Sequence, residues 1–168
     1  PRQPEADMQK LTVVLDMDET LLHSEVGKVY YFEFEMVLDG PRGPRAEHVR
    51  VYKRPGLDGF LDWISQHFEV VVFTAAIPQY AAPVLDRIDP NGTRIKHRHY
   101  RNSTCKFAGQ QFVKDISLLG RSMDSVVLID NNPMAMIANP DNAIPIPSFF
   151  DCPHDRELEA IAQLLAEL

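Results

Sequence analysis

The chain has 168 residues, of which 45% are hydrophobic and 24% charged, a balance typical of one soluble globular domain with a real core. Its formal net charge of −7 argues against direct binding of nucleic acid, which needs a basic face. No apolar run is long enough to span a bilayer, so we expect any membrane contact to come from segments outside these residues.

Three valine-rich apolar runs, at residues 11–15, 69–73 and 125–129, predict strands that are buried on both faces. Amphipathic helical patterns follow at residues 57–68 and 158–168. Strands that alternate with helices in this way predict an α/β fold, layered around a parallel sheet. We expect residues 1–10 to be a linker or tail and residues 11–168 to form a single domain.

One segment departs from this pattern, because apolar residues alternate with polar ones over residues 29–38. A turn-rich stretch and a second strand-like run follow, which predicts a β-hairpin flap over residues 27–53. Further on, Pro83 interrupts a helical pattern, and we expect a kink there or a late helix start near Ala82.

Polar side chains follow each of the three buried runs. Asp16 ends the first, Thr74 the second, and Asp130 and Asn131 the third. Ligands of open parallel sheets bind at the carboxyl ends of the strands, so we expect these residues to converge. With Asp18 they would place three carboxylates in a small volume, which requires a cation. Oxygen ligands favour Mg²⁺, an ion that often binds together with phosphate.

Phosphoryl chemistry would use these residues in distinct ways. A carboxylate such as Asp16 can form an aspartyl-phosphate, and Asp18 could protonate the leaving alcohol and then deprotonate water. Thr74 offers a hydroxyl and the start of a loop whose N–H groups could hold phosphate. Lys114 could neutralise a phosphoryl oxygen, or alternatively pair with Asp115 at the surface.

Four ordered motifs carry a family resemblance: "DMDET", "VVFTAA", "FVKDISLLG" and "LIDNNP". Together they resemble the FCP/SCP-type phosphatases of the haloacid dehalogenase superfamily, which act on the C-terminal domain of RNA polymerase II. The resemblance runs from about Leu11 to the last residue. It implies a three-layer, Rossmann-like parallel sheet of the haloacid dehalogenase type, without a large cap domain.

The same resemblance implies roles for individual residues. Asp16 would be the nucleophile, and Asp18 the general acid and base. Mg²⁺ would be held by Asp16, the backbone carbonyl of Asp18 and Asn131, with Asp130 close by.

The resemblance also implies that Thr74 and Lys114 bind phosphate and that Arg101 contacts substrate, although the stretch before the lysine motif is one residue longer here. Ile77 and Tyr80 match positions that line a substrate pocket in relatives, and ordinary helix packing is an equal alternative for both.

We therefore expect a Mg²⁺-dependent phosphatase that acts on phosphoserine or phosphothreonine in proteins, because a site without a cap admits an extended peptide. Two alternatives stay open. One is a binding module, like the mitochondrial import receptor of this superfamily. The other is a phosphatase of small molecules or of lipid-pathway regulation, like the nuclear-envelope relative Dullard.

The two cysteines, Cys105 and Cys152, show neither metal-ligand spacing nor a disulfide framework. They predict free, buried thiols in a reducing intracellular compartment, with nucleus, nuclear envelope and cytoplasm all open. No oligomerisation signal stands out, and we expect a monomer.

Overall fold

The computed structural model describes residues 3, 8, 10–26, 34–39 and 46–168, although not the side chains of residues 34–39, 46 and 47. The strands are β1 (Thr12–Leu15), β2 (Leu22–Val26), β3 (Phe34–Asp39), β4 (Ala46–Lys53), β5 (Glu69–Phe73), β6 (His97–His99), β7 (Cys105–Phe107), β8 (Gln110–Val113), β9 (Val126–Asp130) and β10 (Ala143–Pro145). The helices are α1 (Leu57–His67), α2 (Pro78–Ile88) and α3 (Glu157–Leu165).

A five-stranded parallel sheet forms the centre of the molecule, in the order β10-β9-β1-β5-β6. The central strand β1 pairs with β5 on one side and with β9 on the other, so that Thr12 lies opposite both Glu69 and Val126. All three strands consist mainly of buried residues, which explains why their sequences do not alternate with polar positions. The predicted α/β fold with a parallel sheet is confirmed.

The two faces of this sheet are covered differently. Val13 and Leu15 face a large core cluster that includes buried residues of α1, α2 and α3. Val14 points to the opposite face, where a smaller cluster is closed by the short 3-10 turn Ile116–Leu119. No helix in the described ranges is both long and apolar enough to cross a membrane.

The insertion between β1 and α1 is an antiparallel sheet of three strands in the order β2-β4-β3, which we call the flap sheet. The predicted β-hairpin over residues 27–53 corresponds to β3 and β4, and β2 adds a third strand that begins earlier, at Leu22. The returning strand is confirmed as β4. Residues 29–33 of the predicted first strand, like most of the predicted linker at residues 1–10, lie outside the described residues.

Two local predictions differ from the structure. Helix α2 begins at Pro78 and runs through Pro83, so the predicted late start near Ala82 was wrong, while the alternative of a kink at Pro83 stays a prediction. Pro78 presets the backbone of the first helical turn, and the carbonyl that Pro83 leaves without a partner belongs to the exposed Gln79. The cysteines are not fully buried either, since Cys105 is partly exposed and Cys152 exposed.

Candidate active site

The predicted polar residues meet at a cleft of about 560 Å³ along the carboxyl edge of the parallel sheet. Its lining includes every residue singled out from the sequence, namely Asp16, Asp18, Thr74, Ile77, Tyr80, Arg101, Lys114, Asp130 and Asn131. The topology explains this convergence, because β1, β5 and β9 are adjacent and end at the same edge.

Lys114 lies between two carboxylates at the bottom of the cleft. Its ammonium group donates hydrogen bonds to Asp16 Oδ1 and, over 2.6 Å, to Asp130 Oδ2. Burial alone would lower the Lys114 pKa, but the two carboxylates raise it above its ordinary value, so the group stays charged. Burial and repulsion from Asp16 raise the pKa of Asp130 to about 6, despite the opposing effect of Lys114. The alternative of a surface pair between Lys114 and Asp115 is excluded, because Lys114 is 1% exposed.

Thr20 fixes the other oxygen of Asp16. Its buried hydroxyl donates to Asp16 Oδ2 over 2.9 Å and lies 3.3 Å from Asn131 Oδ1. The loop that carries it makes a sharp turn at Glu19, which adopts a φ of 58°. Both oxygens of the Asp16 carboxylate are thus held, one by a cation and one by a hydroxyl. Sequence reasoning did not predict this contact of Thr20.

Arg54 supports the same loop from the side away from the cleft. This fully buried arginine donates to the Thr20 carbonyl over 3.0 Å and to the Pro147 carbonyl over 2.9 Å. It also forms a bidentate pair with Asp155, at 2.7 and 2.8 Å. Sequence reasoning missed this clamp, because Arg54 follows a strand that already carries Arg50 and Lys53 and does not stand out from them.

Asp18 has a different hydrogen-bond partner from the other two carboxylates. Its Oδ1 accepts a hydrogen bond of 2.6 Å from the Tyr80 hydroxyl. Burial raises the Asp18 pKa to about 7, although the Tyr80 hydrogen bond acts to lower it. In the described part of the chain, no three His, Cys, Asp or Glu side chains are grouped to hold a metal ion. Lys114 supplies a cation for two of the three predicted carboxylates, Asp16 and Asp130.

The loop after β5 forms the opposite wall of the cleft. The buried Thr74 accepts a hydrogen bond from the Ala76 N–H over 2.9 Å, which leaves its own hydroxyl proton directed elsewhere. Arg101 braces this loop by donating from Nε to the Ala75 carbonyl over 2.6 Å. Its guanidinium carbon also lies 5.0 Å from the centre of the Phe112 ring, which was not predicted. Phe112 has a φ of 61°, an unusual backbone conformation at the rim of a cleft.

The donor set fits Mg²⁺ without the cluster of three acids. Asp16 Oδ2 and Asn131 Oδ1 approach the same Thr20 hydroxyl, so two hard oxygen ligands converge on one point. The Asn131 amide is oriented by a hydrogen bond of 2.9 Å from its Nδ2 to Ser148 Oγ, which directs its oxygen towards Thr20.

Comparison with known proteins identifies the family. The family model described as NLI interacting factor-like phosphatase matches residues 11–168 of this chain. The chain belongs to this family. It is 43% identical over 159 residues to a probable C-terminal domain small phosphatase of Dictyostelium discoideum, covering 94% of this chain and 50% of that protein. It is 38% identical over 170 residues to the human carboxy-terminal domain RNA polymerase II polypeptide A small phosphatase 1, covering all of this chain and 63% of that protein.

The solved structures agree on the fold. The chain is similar, with a TM-score of 0.69 and 23% identity, to the fission yeast RNA polymerase II CTD phosphatase Fcp1 bound to beryllium fluoride, covering 95% of this chain and 50% of that one. The predicted membership of the FCP/SCP-type phosphatases is confirmed, as is the haloacid dehalogenase type of fold, and the residues that the structure describes include no large cap. The chain spans about half the length of the curated relatives it matches.

Proposed function

We propose that this chain is the catalytic domain of a Mg²⁺-dependent phosphatase that acts on phosphoserine or phosphothreonine in proteins. The observation that carries the proposal is the setting of Asp16. Its two carboxylate oxygens are fixed by Lys114 and Thr20, at the bottom of an open cleft that Asp18 also lines. Membership of a phosphatase family and the names of its relatives support the same assignment.

In the first half of the reaction, an oxygen of Asp16 attacks phosphorus and the bond from phosphorus to the substrate oxygen breaks. Asp18 gives its proton to the departing serine or threonine oxygen. A pKa of about 7 allows a substantial fraction of Asp18 to be protonated at neutral pH. The products of this half are the free hydroxyl and an aspartyl-phosphate.

In the second half, Asp18 takes a proton from a water molecule that attacks the phosphorus of the aspartyl-phosphate. Inorganic phosphate leaves, and both carboxyl groups return to their starting states. Lys114 and the Thr74 hydroxyl bind the phosphoryl oxygens throughout, while Lys114 offsets their negative charge. Mg²⁺, held by Asp16, the Asp18 carbonyl and Asn131 with Asp130 beside them, would supply further neutralisation of the phosphoryl group.

The open cleft supports a protein as the substrate. Described residues form no large cap over it, and Ile77, Tyr80 and Arg101 lie along its wall. Relatives named for the polymerase C-terminal domain make its phosphorylated repeats the first substrate to test. We propose that Arg101 and the apolar pair Ile77 and Tyr80 contact residues that flank the phosphate.

The experiment compares wild type with Asp16→Asn on a phosphoserine peptide and on phosphorylated metabolites. We expect the wild type to prefer the peptide, and Asp16→Asn or EDTA to lower turnover by about 10³-fold or more. The matched control is Asp124→Asn, an exposed acid just before the opposite end of β9, which should retain full activity. Robust turnover by Asp16→Asn would refute the mechanism, and a preference for metabolites would refute the assigned substrate class.

A further inference from the structure

The hydroxyl of Tyr80 connects the proposed proton donor to two other elements of the fold. It lies 2.6 Å from Asp18 Oδ1 and 2.7 Å from Ser24 Oγ, on strand β2 of the flap sheet. Building on the proposed function, we infer that Tyr80 is a positioning residue, which holds Asp18 so that its other oxygen delivers the proton to the leaving group.

The number of protons determines the direction of these hydrogen bonds. Asp18 Oδ1 accepts, so the single proton of the Tyr80 phenol is donated to it. The phenol oxygen then accepts the proton of the Ser24 hydroxyl, at 2.7 Å. The Ser24 hydroxyl therefore donates to Tyr80 and the Tyr80 hydroxyl donates to Asp18, so each hydroxyl proton makes one hydrogen bond. Only one oxygen of the Asp18 carboxylate is engaged. Oδ2 of Asp18 is left to carry the transferred proton.

The backbone around Tyr80 makes this a defined geometry. Tyr80 lies in the first turn of α2, where Pro78 presets the helix and the Tyr80 N–H donates to the Ile77 carbonyl over 3.1 Å. The same short segment begins at Thr74, the proposed phosphate ligand. One short segment thus sets the position of the phosphoryl group and, through the phenol, the position of the proton donor.

A carboxylate side chain without such a contact rotates about two bonds, and each misplaced conformer slows proton transfer. The phenol replaces that freedom with a hydrogen bond inside a partly buried site, where such bonds are strong. Tyr80 packs against the main core as well, so its ring and its hydroxyl have separate tasks. Removing the hydroxyl alone keeps the packing and releases Asp18.

The test uses Tyr80→Phe with two substrates that differ in their need for a proton donor. A serine oxygen leaves only when it is protonated, whereas the phenolate of dinitrophenyl phosphate leaves unaided at neutral pH. The quantity to measure is kcat/KM, because it covers the steps up to aspartyl-phosphate formation, in which the leaving group departs. We expect kcat/KM for the phosphoserine peptide to fall by about 10- to 100-fold, and that for dinitrophenyl phosphate to change by less than about 2-fold.

Two matched variants complete the experiment. Tyr52→Phe removes a phenol from the flap sheet, at a position that pairs with His23 and does not line the cleft. It should leave kcat/KM unchanged for both the phosphoserine peptide and dinitrophenyl phosphate. In an Asp18→Asn background, Tyr80→Phe should cause no further loss with the peptide, because its effect passes through Asp18.

The outcomes separate the inference from the function on which it rests. If Tyr80→Phe changes kcat/KM equally for both substrates, or for neither, the positioning role is refuted while the phosphatase assignment stands. A further loss in the Asp18→Asn background also refutes it. If the wild type hydrolyses neither substrate, the proposed function itself fails, and the inference falls with it.

Discussion

Replacing Asp155 with asparagine should destabilise the whole domain although the residue lies outside the cleft. Its partner Arg54 is fully buried, whereas the Asp155 side chain is 11% exposed. Asparagine keeps the size of the side chain and can still accept the 3.1 Å hydrogen bond from the Glu157 N–H. The substitution therefore removes mainly the charge that faces Arg54.

The expected loss follows from the two charge-assisted hydrogen bonds, at 2.7 and 2.8 Å. Each bond to a charged group contributes about 1.5–3 kcal/mol, and breaking a buried ion pair costs about 3–5 kcal/mol. Because asparagine keeps one acceptor, we expect a loss of about 3 kcal/mol. For a domain of this length that corresponds to a Tm lower by about 6–12 °C.

The control is a similar bidentate pair on the surface. Arg156 and Glu159 are also joined by two hydrogen bonds, but their side chains are 76% and 50% exposed. Glu159→Gln should change stability by less than about 1 kcal/mol, because water and salt screen this pair. Urea unfolding of both variants gives the comparison, and equal effects would refute the argument from burial.

The pH dependence adds a second check. Burial raises the Asp155 pKa, but hydrogen bonds from Arg54 and from the Glu157 N–H outweigh it and hold the pKa below its ordinary value of 3.8. A carboxyl group whose pKa is lower in the folded than in the unfolded state stabilises the protein at pH values above its unfolded-state pKa. That stabilisation is lost as the pH falls through the folded-state pKa. The difference between wild type and Asp155→Asn should thus be full at pH 7 and shrink below about pH 4. A difference that stays constant down to about pH 2 would contradict an ionic origin.

Two further predictions concern the groups around Asp16. Thr20→Val removes the hydroxyl that donates to Asp16 Oδ2 and should lower kcat on a phosphoserine peptide by about 10-fold. Thr20→Ser keeps a hydroxyl and should retain most of the wild-type kcat. Full activity of the valine variant would refute the role of Thr20 in positioning Asp16. Lys114→Met leaves the carboxylates of Asp16 and Asp130 without their shared cation and should lower the free energy of unfolding by about 3–5 kcal/mol without Mg²⁺. The control Lys53→Met breaks an exposed pair with Asp58 and should lower it by less than about 1 kcal/mol. Added Mg²⁺ should raise the Tm of Lys114→Met more than that of wild type, since the metal then replaces a missing cation; equal shifts in differential scanning calorimetry would contradict this.

The central sheet and the place of the cleft were predictable because both depend on local pattern. Valine-rich runs indicate strands buried on both faces, and the residue that ends such a strand must lie at the edge where ligands bind. Asp16, Thr74 and Asp130 needed no knowledge of side-chain contacts to be placed together. The same locality explains the error at Pro83, where the rule for helix interiors ignores the start provided by Pro78.

The partners of these residues were beyond local reasoning. Asp16 and Asp18 are two residues apart, yet one is paired with Lys114 and the other with Tyr80, so the fold gives neighbouring acids different partners. The pairing of Arg54 with Asp155 spans 101 residues. Such contacts depend on how helices and loops pack, which hydrophobic periodicity does not specify.

The distance along the chain between Asp16 and Lys114 has a consequence for biosynthesis. The two are 98 residues apart, and Asp155 emerges still later than Lys114. A ribosome adding about 5–20 residues per second needs roughly 5–20 s to make that interval. During it, the nascent chain carries Asp16 without the ammonium group that pairs with it. On the proposed mechanism, a product that stalls before Lys114 lacks a phosphate-binding cation, so we expect activity only after Lys114 has been made.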